Sequence, residues 1–145
     1  MDAMAALMKQ AHPGHPRGGV GLAGPQVGLM QRVIVVHSKP ERPVFKMANP
    51  RIIAAKGPAV DGAEGCLSLI DLSVRVARAP WIEVASLDAF GVDRLDVFEG
   101  WEARIVQHEI DHLDGVTLVS RARRGALHDF ERRCGKTPAR IGNTP

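Results

Sequence analysis

No apolar run in this 145-residue chain approaches the roughly 20 residues that a membrane-spanning helix requires. The N-terminus, Met1-Asp2-Ala3-Met4-Ala5-Ala6-Leu7-Met8-Lys9-Gln10, lacks the uninterrupted apolar core and cleavage site of a secretory signal. Cysteine is scarce: Cys66 and Cys134 are the only two, too few for a disulfide framework. There is no internal repeat and no long linker. A phosphate loop is missing too, because the glycine-rich stretch near the start has no Gly-Lys-Ser/Thr ending. These absences exclude membrane-spanning, disulfide-scaffold and solenoid classes, and they predict a soluble, cytoplasmic protein.

What is present suits one globular domain. With 45% apolar and 24% charged residues, the composition is neither disordered nor fibrous. The net charge of +3 is unevenly placed: residues 1–120 carry −2 and residues 121–145 carry +5. Residues 1–121 are therefore read as the domain and 122–145 as a basic tail, suited to touching a polyanion or to lying solvated.

Periodicity predicts a short helix over residues 2–11, loop over 12–19, and strands at 32–37, 44–48, 51–56, 73–77, 82–88 and 94–98. Gly91 centres a hairpin loop between the last two strands. From Gly100 to Leu113 the period changes to that of a helix, closed by Gly115. On its wheel Trp101, Ile105, His108 and His112 share a stripe about 60° wide, expected to face the core. Several short strands and one central helix predict an α+β fold with mostly antiparallel sheets.

The chemistry centres on His108-Glu109-Ile110-Asp111-His112. Imidazoles at i and i+4 sit one above the other and can bind a single metal ion. Glu109 is offset enough to handle a water proton without being a ligand. A pair of satisfied core histidines is the bland alternative. Two histidines do not complete a catalytic site, which usually has three protein ligands and an open position. Downstream, His128 or Glu131 could be the third; upstream, Cys66 lies in Glu64-Gly65-Cys66-Leu67-Ser68 and offers a softer, stronger donor. A lone cysteine is also commonly a small buried hydrophobe. In Gly19-Val20-Gly21-Leu22-Ala23-Gly24-Pro25-Gln26-Val27-Gly28 the glycines let backbone pass close to a substrate, and Gln26 offers an uncharged donor for a developing oxyanion. Taken alone, that segment reads as a tight turn.

Together, Gly-x-Gly-Leu-Ala-x-x-Gln at residues 19–26, Glu-Gly-Cys-Leu-Ser at 64–68 and Gln-His-Glu-x-Asp-His-Leu at 107–113 resemble the three ordered motifs of peptide deformylases. These enzymes remove the formyl group from the N-terminal methionine of new polypeptides. The resemblance implies antiparallel sheets around a central helix, and a metal held by Cys66, His108 and His112 with water as fourth ligand. The ion implied is Fe2+, with zinc, nickel or cobalt accepted. Glu109 becomes the general base and then acid; the Gln26 amide and the Leu67 backbone N–H stabilise the oxyanion. Gly19 and Gly21 take substrate-binding positions, and Arg78 matches an arginine of the substrate channel. Asp111, with Arg104 about two turns earlier, is expected to support the site from behind. The implied partners are an N-formylated peptide and, through the basic tail, ribosomal RNA; no membrane is involved, and a monomer is expected.

Three features depart from the pattern. Gly24 replaces a usual alanine, Ile70 replaces a usual proline, and the sequence starts short of the family's first strand, which predicts an exposed sheet edge. Two rival readings stand beside the first. One is a zinc peptidase whose third ligand comes from the tail. The other is a catalytically degenerate relative that keeps the metal for stability and binds RNA or ribosomes.

Overall fold

Two antiparallel sheets enclose one buried helix in the computed structural model, which describes residues 1–11 and 19–121. The elements run α1 (Asp2–Gln10), β1 (Gly21–Ala23), a 3-10 turn (Gly24–Val27), β2 (Val33–Val36), β3 (Phe45–Lys56), β4 (Val60–Cys66), β5 (Leu69–Arg78), β6 (Trp81–Leu87), β7 (Asp93–Glu99), α2 (Gly100–Leu113) and α3 (Leu118–Arg121). Five strands form one sheet in the order β1-β2-β3-β6-β7, and β4 pairs with β5 alone. Every pairing is antiparallel. The α+β expectation is borne out.

Strand alternation explains the layering. Ile34 and Val36 point to one face of β2 and, with Met47, Ile82, Val84 and Phe98, bury against Ala103, Ile105, Val106 and Ile110 of α2. Val35 points the other way and packs with Leu22 under Met4, Ala5 and Met8 of α1. A smaller cluster of Val74, Val76 and Leu118 lies beneath the two-stranded sheet. Phe98, 1% exposed, meets Phe45 edge-on with ring centroids 5.2 Å apart. Phe98→Ala is therefore expected to cost about 3–5 kcal/mol of stability, measured by urea unfolding at constant m-value.

Several expectations need correction. The strands expected at 44–48 and 51–56 are one strand, because Asn49-Pro50 is absorbed as a bulge between Ala48 and Arg51. Asn49 takes φ 50, which its short polar side chain tolerates, and its N–H donates to the Arg32 carbonyl at 2.7 Å. Pro50, lacking an N–H, loses nothing at a bulge. Periodicity does not reveal β1 or β4. Gly62, Gly65, Asp61 and Glu64 give β4 little strand propensity of its own, and pairing with β5 overrides this. Gly91 does centre the 88–92 turn, at φ 83. Trp101 does not face the core: it is 49% exposed, because it lies in the first two residues of α2, and burial of the helix begins at the next residue, Glu102.

Candidate metal centre

Three local structures deliver the site. The first is the 3-10 turn after β1. Gln26 folds back so that its Oε1 accepts the Ala23 N–H at 2.8 Å, and Gly28, at φ 79, closes the turn. This fixes the amide, whose Nε2 donates to Ser68 Oγ at 3.0 Å and approaches Cys66 Sγ at 3.6 Å. The second is the tight β4–β5 turn: Cys66 pairs with Leu69, leaving Leu67-Ser68 as the tip. The third is α2, whose 3.6-residue period stacks His108 and His112 with ring centroids 4.9 Å apart.

The donors converge. Cys66 Sγ lies 3.3 Å from His112 Nε2, and the two Nε2 atoms are 3.2 Å apart. All three donor atoms lie within 4.8 Å of one another. Metal–nitrogen bonds of about 2.0–2.1 Å and metal–sulfur bonds of about 2.3 Å give a tetrahedron with donor–donor edges of roughly 3.3–3.6 Å. The two short edges match that size. A thiolate with two imidazoles also suits a borderline transition metal.

Surrounding groups prepare these donors. His108 Nδ1 lies 3.0 Å from Glu64 Oε2, so the ring donates there and turns Nε2 toward the centre. Burial pushes the Cys66 thiol up, but hydrogen bonds from His108, His112 and the Ser68 backbone outweigh it and bring the thiol down to about 5. Burial also disfavours a charged His108, whereas Cys66 and Glu64 hold its proton and raise it to about 10.

Glu109 is 4% exposed and its Oε2 has no hydrogen-bond partner among the described residues. Burial raises its carboxyl to about 7 against the opposing pull of His108 and His112. An unpartnered carboxylate oxygen beside three metal-type donors fits a site completed by an ion and water. Gly21 makes room for it, since a Cβ there would run into the Glu109 carboxylate. Gly21→Ala is accordingly expected to lower kcat at least tenfold while metal content is unchanged, checked by steady-state kinetics beside elemental analysis.

The motif match gives Glu64 no role, although it stands two residues before Cys66 and so on the same side of β4. It is the hub behind the site. Arg78 Nε and Nη2 donate to its two oxygens at 2.9 Å each, and Arg104 Nη1 donates at 2.7 Å. Burial pushes this carboxyl up, but His108, Arg78 and Arg104 pull it down to about 2. Because the folded value is depressed, its stabilisation is complete above the ordinary 4.5 and is lost as pH falls toward about 2. Glu64→Gln is expected to flatten the acid-side decline of the metal-free protein, measured by unfolding between those pH values.

Arg78 is 5% exposed, and its guanidinium is committed to Glu64 and, through Nη1 at 2.5 Å, to Asp111. Asp111 pairs with Arg78 and Arg121, whereas Arg104 pairs with Glu64; the expected Asp111–Arg104 partnership is not formed. Gly19 is a packing position: a Cβ there would crowd Leu67 Cδ1 and the Met8 carbonyl, both at 2.9 Å. Leu67 sits at the turn beside Cys66, half-buried. Gly24 also has a local reason, since an added Cβ would come within 2.6 Å of the Gln31 carbonyl oxygen. His128, Glu131, Cys134 and the basic tail lie outside the described residues.

A buried His-Glu-x-x-His helix, a converging thiol and an unpartnered buried carboxyl oxygen beside them define the class of a metal-dependent hydrolase. The polypeptide deformylase family model matches residues 1–127. A peptide deformylase of Desulforudis audaxviator is 41% identical over 105 residues, covering 72% of this chain and 68% of its own. The crystal structure of peptide deformylase from Thermus thermophilus superposes with a TM-score of 0.79 at 41% identity, covering 91% of this chain and 75% of that one. A Met-Ala-Ser-bound class I type b peptide deformylase from Acinetobacter baumannii gives 0.75 at 41% identity, covering 83% and 77%. The chain belongs to the peptide deformylase family, and it spans about two thirds to three quarters of the length of these relatives.

Proposed function

We propose that this protein hydrolyses the formyl group from the N-terminal methionine of formylated peptides in the cytoplasm. The observation that carries the reading is the convergence of Cys66 Sγ with the Nε2 atoms of His108 and His112 beside the unpartnered Glu109 oxygen. The Met-Ala-Ser ligand of the Acinetobacter relative supports a peptide beginning with methionine as the product.

Cys66, His108 and His112 would hold the ion, with Fe2+ the one the motifs imply and zinc, nickel or cobalt able to substitute. When bound, a divalent cation supplies the Lewis acidity that makes water nucleophilic near neutral pH and polarises a formyl oxygen. The remaining work falls to the chain. Glu109 accepts a proton from the attacking water on its carboxylate and gives it to the departing amine, so that formate and a free N-terminus result as the C–N bond breaks. The Gln26 amide, held through Oε1 by Ala23, and the Leu67 backbone N–H donate to the oxygen as its charge grows. Glu64 keeps His108 in one tautomer. No helix of the described residues is long and apolar enough to cross a membrane.

Formate release from formyl-Met-Ala-Ser by Fe2+-loaded protein, prepared without oxygen, tests the reading. Turnover is the expected result. Absence of formate at every metal loading would leave the non-catalytic, metal-stabilised reading. Contact between the basic tail and ribosomal RNA remains part of the proposal, motivated by the +5 charge of residues 121–145; salt-sensitive cosedimentation with ribosomes is the expected observation.

A further inference from the structure

The ligands come from two structures that share no backbone hydrogen-bond ladder: Cys66 from the two-stranded sheet, and His108 and His112 from a helix whose apolar contacts belong to the five-stranded sheet. Something must fix the height of one against the other. Arg104 stands one turn before His108 on α2, and it is buried with its hydrogen bonds directed at the hairpin. Its Nη2 donates to the Val60 carbonyl at 2.7 Å; its Nη1 donates to the Val76 carbonyl at 2.7 Å, to Glu64 Oε1 at 2.7 Å and, more weakly, to the Gly62 carbonyl at 3.4 Å. Gly62 and Val76 face each other across β4 and β5, so the guanidinium grips both strands of one rung.

The spacing makes this grip consequential. Two residues along a strand advance about 6.8 Å and four along a helix about 6 Å. β4 therefore climbs beside α2 nearly in step: Gly62 lies at Arg104, Glu64 reaches Arg104 and His108, and Cys66 lies at His108 and His112. A slip at the lowest contact would be carried up to the sulfur. Gly62 completes the fit from below, since a Cβ there would come within 2.8 Å of the Arg104 Cζ and Nη2 atoms.

We propose that Arg104, seated on Gly62, is the positioning residue that sets Cys66 at bonding height against the two histidines. It touches no reacting atom. The proposal rests on the metal-centre reading of Cys66, His108 and His112.

The test uses the full chain, freed of metal and titrated with Co2+ against a chromophoric chelator. Arg104→Met removes the grip, and Gly62→Ala displaces the guanidinium while leaving every charge in place. Both variants are expected to weaken cobalt affinity about 10–100-fold and to diminish the sulfur-to-cobalt charge-transfer absorption of the fully loaded protein. Arg42→Met is the comparison, because it breaks the 2.6 Å ion pair to Glu102 on the same helix without touching the hairpin, and it is expected to change neither readout. Wild-type affinity and absorption in both Arg104→Met and Gly62→Ala would overturn the proposal. Equal losses in Arg42→Met would also overturn it, marking a general weakening of the helix. A wild-type chain that binds cobalt without the charge-transfer band, or not at all, would instead refute the ligand set on which the proposal stands.

Discussion

Glu109→Gln is expected to lower kcat on a formyl-methionyl peptide by about 10²–10⁴-fold while the protein keeps its full complement of metal. The amide has nearly the shape of the carboxylate, so the close fit against Gly21 is retained, and Glu109 is absent from the three converging donors. What disappears is a proton acceptor in a buried site, where its carboxyl lies at about 7 and can both take up and release a proton near neutrality. Stopped-time formate assays with parallel elemental analysis separate the two quantities. A variant that loses metal and turnover in equal measure would show Glu109 to be a ligand.

Cys66→Ala is expected to have the opposite signature: metal is lost and turnover falls to background with it. The two imidazoles that remain leave an incomplete coordination shell. Equilibrium dialysis against Zn2+ and Co2+ measures the loss. If Cys66→Ala kept its metal and Glu131→Gln gave it up, the ligand set of a zinc peptidase would replace the one proposed.

The elements legible in the sequence are those whose signal is local. The α2 boundaries and the stacking of His108 over His112 follow from the helical period alone, and the β2 run follows from four β-branched residues. The tight turn around Gln26 is legible from its glycines and proline, and it is the 3-10 turn Gly24–Val27. Contacts that exist only after distant strands meet stay hidden. β4 is poor in strand formers, so its pairing with β5 leaves no local trace, and neither does the Glu64 hub that depends on it. Arg78 is an example: the motif match says nothing of the two buried carboxylates, Glu64 and Asp111, that flank its guanidinium. Trp101 misleads for a related reason, because a wheel shows direction around the helix axis but not where along it the protein begins.

Nine of the fourteen residues of α2 are buried, and the same helix carries both imidazoles and the carboxylate. The proposed reaction machinery and the keel are thus one piece of chain, with almost no idle side left for neutral drift. A saturation library across this helix would show near-uniform intolerance for two unrelated reasons. Sorting variants for abundance separately from turnover would part them: substitutions at Val106 and Ile110 would deplete the cell of protein, whereas conservative changes at Glu109 would leave abundant, silent enzyme.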